Sequence, residues 1–191
     1  MSERPVFYYD LGSPNAYLSA ERVNHVLPEV PVWQPVLLGG IFKATGRSSW
    51  GQGPDRAEGM AEVERRAASY GLPGIRWPEP WPGNMLDAMR AAVFAQQTGR
   101  TVAFSLAAFR QQFAGGRDLS NTDNVLLAAA ACELHPRAVL KGIEMQWVKD
   151  GLRAATDEAL ALGVTGVPTI RVGDQLFWGD DRLEEAAEAI R

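Results

Sequence analysis

An α/β fold is predicted: a mixed four-stranded sheet covered by helices, with a large all-helical insertion. Three observations predict it. The chain opens on two β-type segments flanking an amphipathic helix. It closes on two short β-type segments and a helix. Between them, residues 41–162 are dominated by helical patterns.

The opening stretch FYYDLGSPNAYLSAERV contains the first strand, residues 5–11, where Phe7, Tyr8 and Tyr9 favour β structure and Gly12 stops the run. A helix over 14–27 follows: Ala16, Tyr17, Ala20, Val23 and Leu27 recur at helical spacing and Pro28 ends it. VPVWQPVLL, residues 30–38, predicts the second strand, with Pro35 calling for an edge or a bend. Two strands joined by a helix pair in parallel through a right-handed crossover. Residues 39–55 are rich in Gly and Ser and predict a loop around a short helical piece. A helix over 56–71 ends at Gly71, and a Pro-rich loop occupies 72–84. Helices are predicted over 85–98, 101–114, 122–133, 136–149 and 151–162, broken at Gly99, Gly115-Gly116, His135-Pro136 and Gly151. The segment from Asp118 to Asp123 supplies cap residues for the 122–133 helix. Strands over 166–173 and 175–179 are joined by the turn Gly173-Asp174, and a last helix over 180–190 takes Asp180 or Asp181 as its cap. With the helical block removed, βαβ-ββα remains, which is the minimal thioredoxin-type unit. The predicted organisation is a thioredoxin-like domain from residues 1–40 and 163–191 and a helical insertion domain over 41–162.

Composition narrows the function classes. The chain of 191 residues is 46% apolar and 22% charged, with a net charge of −4 and mixed signs throughout. This argues against a nucleic-acid face and a polybasic membrane patch. No apolar run is long enough for a membrane span, and the start MSERPVFYYD lacks the apolar stretch of a secretory signal. The one cysteine, Cys132, excludes an intrachain disulfide, and a cytoplasmic location is expected. No metal-ligand spacing, phosphate loop or dinucleotide fingerprint is present, so no metal is expected.

Ser13 stands where the first strand turns into the first helix. Gly12-Ser13-Pro14 reads as a plain helix start, with serine as cap and proline at the first helical position. The same position also suits chemistry, because free N–H groups at a helix N-terminus stabilise an anion such as a thiolate, and a hydroxyl there donates to sulfur. A nucleophilic serine needs a base within reach, and neither His25 nor His135 sits in a recognisable triad context. Both readings of Ser13, cap and catalyst, stand at this point.

Four segments, in order, resemble the family of kappa-class glutathione transferases and 2-hydroxychromene-2-carboxylate isomerases, in the DsbA-like branch of the thioredoxin fold. They are FYYDLGSPNAYL, VLLGGIFKATG, GVTGVPTI and LFWGDDRLEE; GNMLDAMRAA resembles the start of a helix in the insertion. Where DsbA-like proteins carry Cys-x-x-Cys, this chain reads Ser13-Pro14-Asn15-Ala16, so dithiol exchange at the turn is impossible. The resemblance implies that bound glutathione, or another low-molecular-weight thiol, supplies the sulfur and that Ser13 hydrogen-bonds it.

Further roles follow from the same resemblance. Val167-Pro168 is expected to be cis and to present the Val167 backbone to the cysteinyl backbone of glutathione; without it, Pro168 would merely open an edge strand. Asp180 or Asp181 is expected to hold the γ-glutamyl ammonium or to cap the last helix, or both. Lys43 is expected either to reach the glycyl carboxylate or to be an ordinary surface lysine. Family members place Asn and prolines after the K-A-T-G stretch, whereas this chain has Arg47 and Ser48; Trp50, or the loop 46–54, is expected to shape a different pocket. Asn15, Tyr17, Phe42, Trp77, Trp81, Asn84 and Trp178 are candidate pocket walls, and six tryptophans would suit a planar aromatic substrate. The implied activity is a glutathione-dependent isomerase in aromatic degradation, as a homodimer. The alternatives are a kappa-type transferase or peroxidase, and a thioredoxin-fold protein that binds another thiol or a peptide.

Overall fold

The computed structural model describes residues 4–190, so the outermost ends of the predicted thioredoxin-like unit, 1–3 and 191, lie outside the described residues. Four strands form one sheet in the order β2-β1-β3-β4: β1 Val6–Tyr9, β2 Val32–Pro35, β3 Thr169–Val172 and β4 Gln175–Trp178. β1 runs parallel to β2 and antiparallel to β3, and β3 is antiparallel to β4. Pro35 is tolerated because β2 is an edge and Pro35 is its last residue.

Side chains alternate across β1 and both faces are covered. Phe7 and Tyr9 enter the main core, while Val6 and Tyr8 face a smaller cluster with Val36, Ile41 and Val167. The helices are α1 Pro14–Ala20, α2 Val23–Val26, α3 Leu38–Thr45, α4 Arg56–Ser69, α5 Leu86–Gln97, α6 Thr101–Phe109, α7 Thr122–Ala131, α8 Pro136–Gly142, α9 Gln146–Ala161 and α10 Leu183–Ala189. The inserted helices share the main core with the sheet. Tyr9 packs on Phe109 at 5.9 Å between ring centres, and its hydroxyl meets Ser105 Oγ at 2.6 Å. No helix among the described residues is long and apolar enough to cross a membrane.

Besides shifts of a few residues at element ends, the helices depart from the prediction in several places. The helix expected over 14–27 divides into α1 and α2, because the turn tightens where Arg22 N–H reaches Ser19 O at 3.0 Å. That break lets the Arg22 guanidinium lie 3.7 Å from the Tyr70 ring centre and pair with Glu184. α3 begins at Leu38, inside the segment read as a strand, and runs through Gly39 and Gly40. Gly40 packs closely there: a Cβ would stand 3.3 Å from Thr156 Cγ2 on α9. Gly151 breaks nothing and lies inside α9, where a Cβ would already touch Val93 Cγ1 on α5 at 3.4 Å. The break falls after Gly142, which packs under the Phe94 ring. The 101–114 helix ends at Phe109 and continues as one wide π-type turn, Arg110–Ala114.

Candidate active site

The turn after β1 is closed by Asp10, a buried residue. Its Oδ1 accepts from Gly12 N–H and its Oδ2 from Leu38 N–H, each at 2.8 Å. Its carbonyl accepts from Ser13 N–H at 3.0 Å. One side chain thus ties the serine turn to the start of α3. Burial pushes the Asp10 carboxyl up to about 6, against the pull of the two N–H donors.

Ser13 caps α1 from an extended conformation, with Pro14 at the first helical position. Its Oγ accepts from Ala16 N–H at 3.2 Å and donates to the Val167 carbonyl at 3.5 Å. Val167-Pro168 is cis, as are Glu79-Pro80 and Trp81-Pro82. The register of β1 on β3, with Tyr8 opposite Thr169, brings the serine turn and the proline loop to the same end of the sheet. The bland reading of Ser13 is therefore correct as far as it goes: it is a cap. It also faces a cleft of about 180 Å³.

Asn15, Phe42, Arg47, Trp50, Trp81 and Trp178 wall that cleft around Ser13 and Val167. Trp81 Nε1 donates to the Gly12 carbonyl at 3.3 Å, fixing the wall to the turn. Trp178 packs against Gly166, and Arg47 lies 4.7 Å from the Trp178 ring centre while donating to the Thr165 carbonyl at 2.8 Å. A second cleft of about 360 Å³, carrying Asp10, Asn84 and Met85, adjoins the first at Gly12, Leu38, Phe42 and Ser49. Together they reach the size of small-molecule sites, roughly 300–1,000 Å³.

Ser13, Asn15, Trp50 and Val167 thus come together, Pro168 follows directly in the chain, and Asn84 lines the adjoining space. The other candidates are elsewhere. Tyr17 is core, 1% exposed and packed on Phe109 and Phe113. Lys43 opens on a different cavity, because the next residue along a helix turns by about 100° from Phe42, which does face the serine. Asp180, 1% exposed, accepts from Arg66 Nη1 and from the Tyr70 hydroxyl, each at 3.0 Å. Asp181 is exposed and outside both clefts. Neither aspartate caps α10 through its side chain; Gly179, at φ 121°, leads into a 3₁₀ turn, Asp180–Arg182. Trp77 stands behind Trp81 and donates to Glu64 at 2.7 Å. Arg47, Ser48 and Trp50 bring the loop 46–54 to the cleft, as expected of it, whereas Asp10 is a contributor that sequence reasoning did not assign to the site. For Asp10 a signal existed, since aspartate two residues before glycine favours a side-chain-closed turn.

The sheet, the inserted helices and a capped helix start facing a cis-proline loop define a thioredoxin-fold protein with serine in place of the usual cysteine. The chain belongs to the DSBA-like thioredoxin domain family, whose model matches residues 6–191. It is 29% identical over 187 residues to the 2-hydroxychromene-2-carboxylate isomerase of Sphingobium xenophagum, covering 93% of either chain. A solved 2-hydroxychromene-2-carboxylate isomerase superposes with a TM-score of 0.87 at 20% identity, over 97% of this chain and 93% of that one. The cytosolic disulfide reductase DsbM of Pseudomonas aeruginosa, solved with GSH, superposes at 0.65 and 14% identity, over 97% and 95%. At such identities the structural likeness establishes the fold. Cys132, at the end of α7, is buried, and burial holds its thiol above the usual range.

Proposed function

We propose that this chain is a glutathione-dependent isomerase acting on an aromatic carboxylate of the 2-hydroxychromene-2-carboxylate type. The carrying observation is the Ser13 hydroxyl, pinned as a cap and turned toward the Val167 carbonyl in an aromatic-walled cleft. The full-length relationship to the Sphingobium isomerase supports the same reading.

The residues present fit a thiol at Ser13. The contact from Ser13 to Val167 is at the long limit of a hydrogen bond, 3.5 Å, so the hydroxyl proton is readily redirected to an anionic sulfur. Its lone pair stays with Ala16 N–H, which keeps the oxygen in place. A hydrogen bond to a charged group contributes about 1.5–3 kcal/mol. That is about one to two pKa units on the thiol. The Val167 backbone would hold the cysteinyl unit, and Arg47 adds the positive charge at the cleft wall. Glutathione, when bound, supplies a sulfur that can add to a conjugated carbon and leave again. The aromatic walls would orient a planar substrate and exclude water, while Asp10 holds the turn that fixes Ser13.

One observation favours a second reading, a site for a different small thiol. Asp180 is already paired with Arg66 and Tyr70, which leaves the γ-glutamyl ammonium without that partner. Calorimetry with glutathione, cysteine and cysteinylglycine separates the two, combined with an absorbance assay of 2-hydroxychromene-2-carboxylate with and without thiol. Heat with glutathione and thiol-dependent conversion support the isomerase. Heat with another thiol alone moves the assignment to the second reading, and conversion without thiol contradicts both.

A further inference from the structure

A cavity of about 710 Å³ lies between α3, α5 and α9. It meets the cleft beside Asp10 at Leu37 and Leu86, but neither Ser13 nor Val167 lines it. Its apolar lining is Leu37, Leu86, Leu152 and Leu160. Its cations are Lys43, Arg90, Lys149 and Arg153, against the single acid Asp157.

Pairing within the protein leaves much of this charge unspent. Lys149 pairs with Glu144 at 2.8 Å, and Arg90 Nη1 with Asp87 at 3.2 Å. The side chains of Lys43 and Arg153 have no ion pair or hydrogen bond among the described residues. The Nε of Arg90 is a buried donor without a partner.

We infer that this cavity binds an amphipathic organic carboxylate, its apolar body on the leucines and its carboxylate among Arg90, Arg153 and Lys43. Guanidinium groups present paired donors matched to a carboxylate, and the cationic surplus favours an anion over a neutral analogue. The volume suits a ligand of one or two rings. The inference needs neither a thiol nor Ser13, so it goes beyond the function proposed above.

Calorimetry with 2-naphthoate and its neutral counterpart 2-naphthalenemethanol tests it. The acid is expected to bind about tenfold more tightly than the alcohol. The double substitution Lys43→Met, Arg153→Met removes two exposed side chains and is expected to abolish that preference while leaving alcohol binding unchanged. Ser13→Ala is expected to leave the affinity for 2-naphthoate unchanged, which separates this site from the thiol site. Equal binding of acid and alcohol overturns the inference. So does a double variant that keeps the preference, or loss of 2-naphthoate binding in Ser13→Ala.

Discussion

The hydroxyl of Ser13 stands 3.5 Å from the carbonyl oxygen of Val167, a residue 154 positions away in the chain. The contact exists because β1 and β3 are antiparallel neighbours, so the turn that follows β1 meets the loop that precedes β3. Ser13 therefore does two things at once: it caps α1, and it faces the backbone of the proline loop across the cleft.

Restoring a cysteine at this position reads the local electrostatics directly. In Ser13→Cys the thiol replaces the hydroxyl at the helix start, where thiol pKa values fall to about 7.5 or below. One fast-reacting thiol toward iodoacetamide at pH 7 is expected in the variant and none in the parent, whose buried Cys132 is held protonated. A variant thiol no faster than an ordinary free cysteine contradicts the description of the turn.

Asp10 gives the protein a pH-dependent stability term. Its carboxyl binds a proton more tightly in the folded chain, at about 6, than at the ordinary value of 3.8. Its contribution is therefore complete below about pH 4 and is lost as pH rises through about 6, to a total of about 3 kcal/mol. Asp10→Asn removes this titration and leaves one of the two backbone N–H groups facing an NH₂, a constant cost of about 1–3 kcal/mol. Urea melts at pH 4 to 7 are expected to show the variant gaining on the parent as pH rises. A difference independent of pH contradicts the assignment.

Tyr70→Phe removes one of two donors to the buried Asp180 carboxylate. A loss of about 1.5–3 kcal/mol in unfolding free energy is expected, the range for hydrogen bonds to charged groups. Glutathione affinity is expected to stay unchanged, because Asp180 lies outside both clefts. An affinity that falls with this variant assigns Asp180 to ligand binding.

Gly166→Ala tests the cleft wall. The added Cβ would stand 2.6 Å from Trp178 Nε1, so the indole must swing away and leave Arg47. Trp178 is half exposed and free to move, so unfolding free energy changes by less than about 1 kcal/mol. Glutathione binding is expected to weaken by about tenfold, or 1.4 kcal/mol. Unchanged binding removes the Trp178 wall from the site.

Local chemistry made part of this legible. The strand at Phe7-Tyr9, the Ser13-Pro14 helix start and the Gly173-Asp174 hairpin are set by neighbouring residues, and they fall where the pattern puts them. Glycines misled. Gly39 and Gly40 read as loop and Gly151 as a break, yet Gly40 and Gly151 admit Thr156 and Val93 at helix crossings, which only the assembled core reveals. The pairing of Asp180 with Arg66 spans 114 residues and leaves no local trace. Lys43 and Phe42 are adjacent in sequence but face different cavities, a distinction that depends on the phase of a helix the glycines concealed.

The ultraviolet thiolate absorbance of glutathione bound to the protein, titrated against pH for the parent chain and Ser13→Ala, measures what Ser13 does to the sulfur. The account predicts a bound thiol that ionises about one to two pH units lower in the parent than in the variant. Superimposable titrations in the two proteins would contradict it.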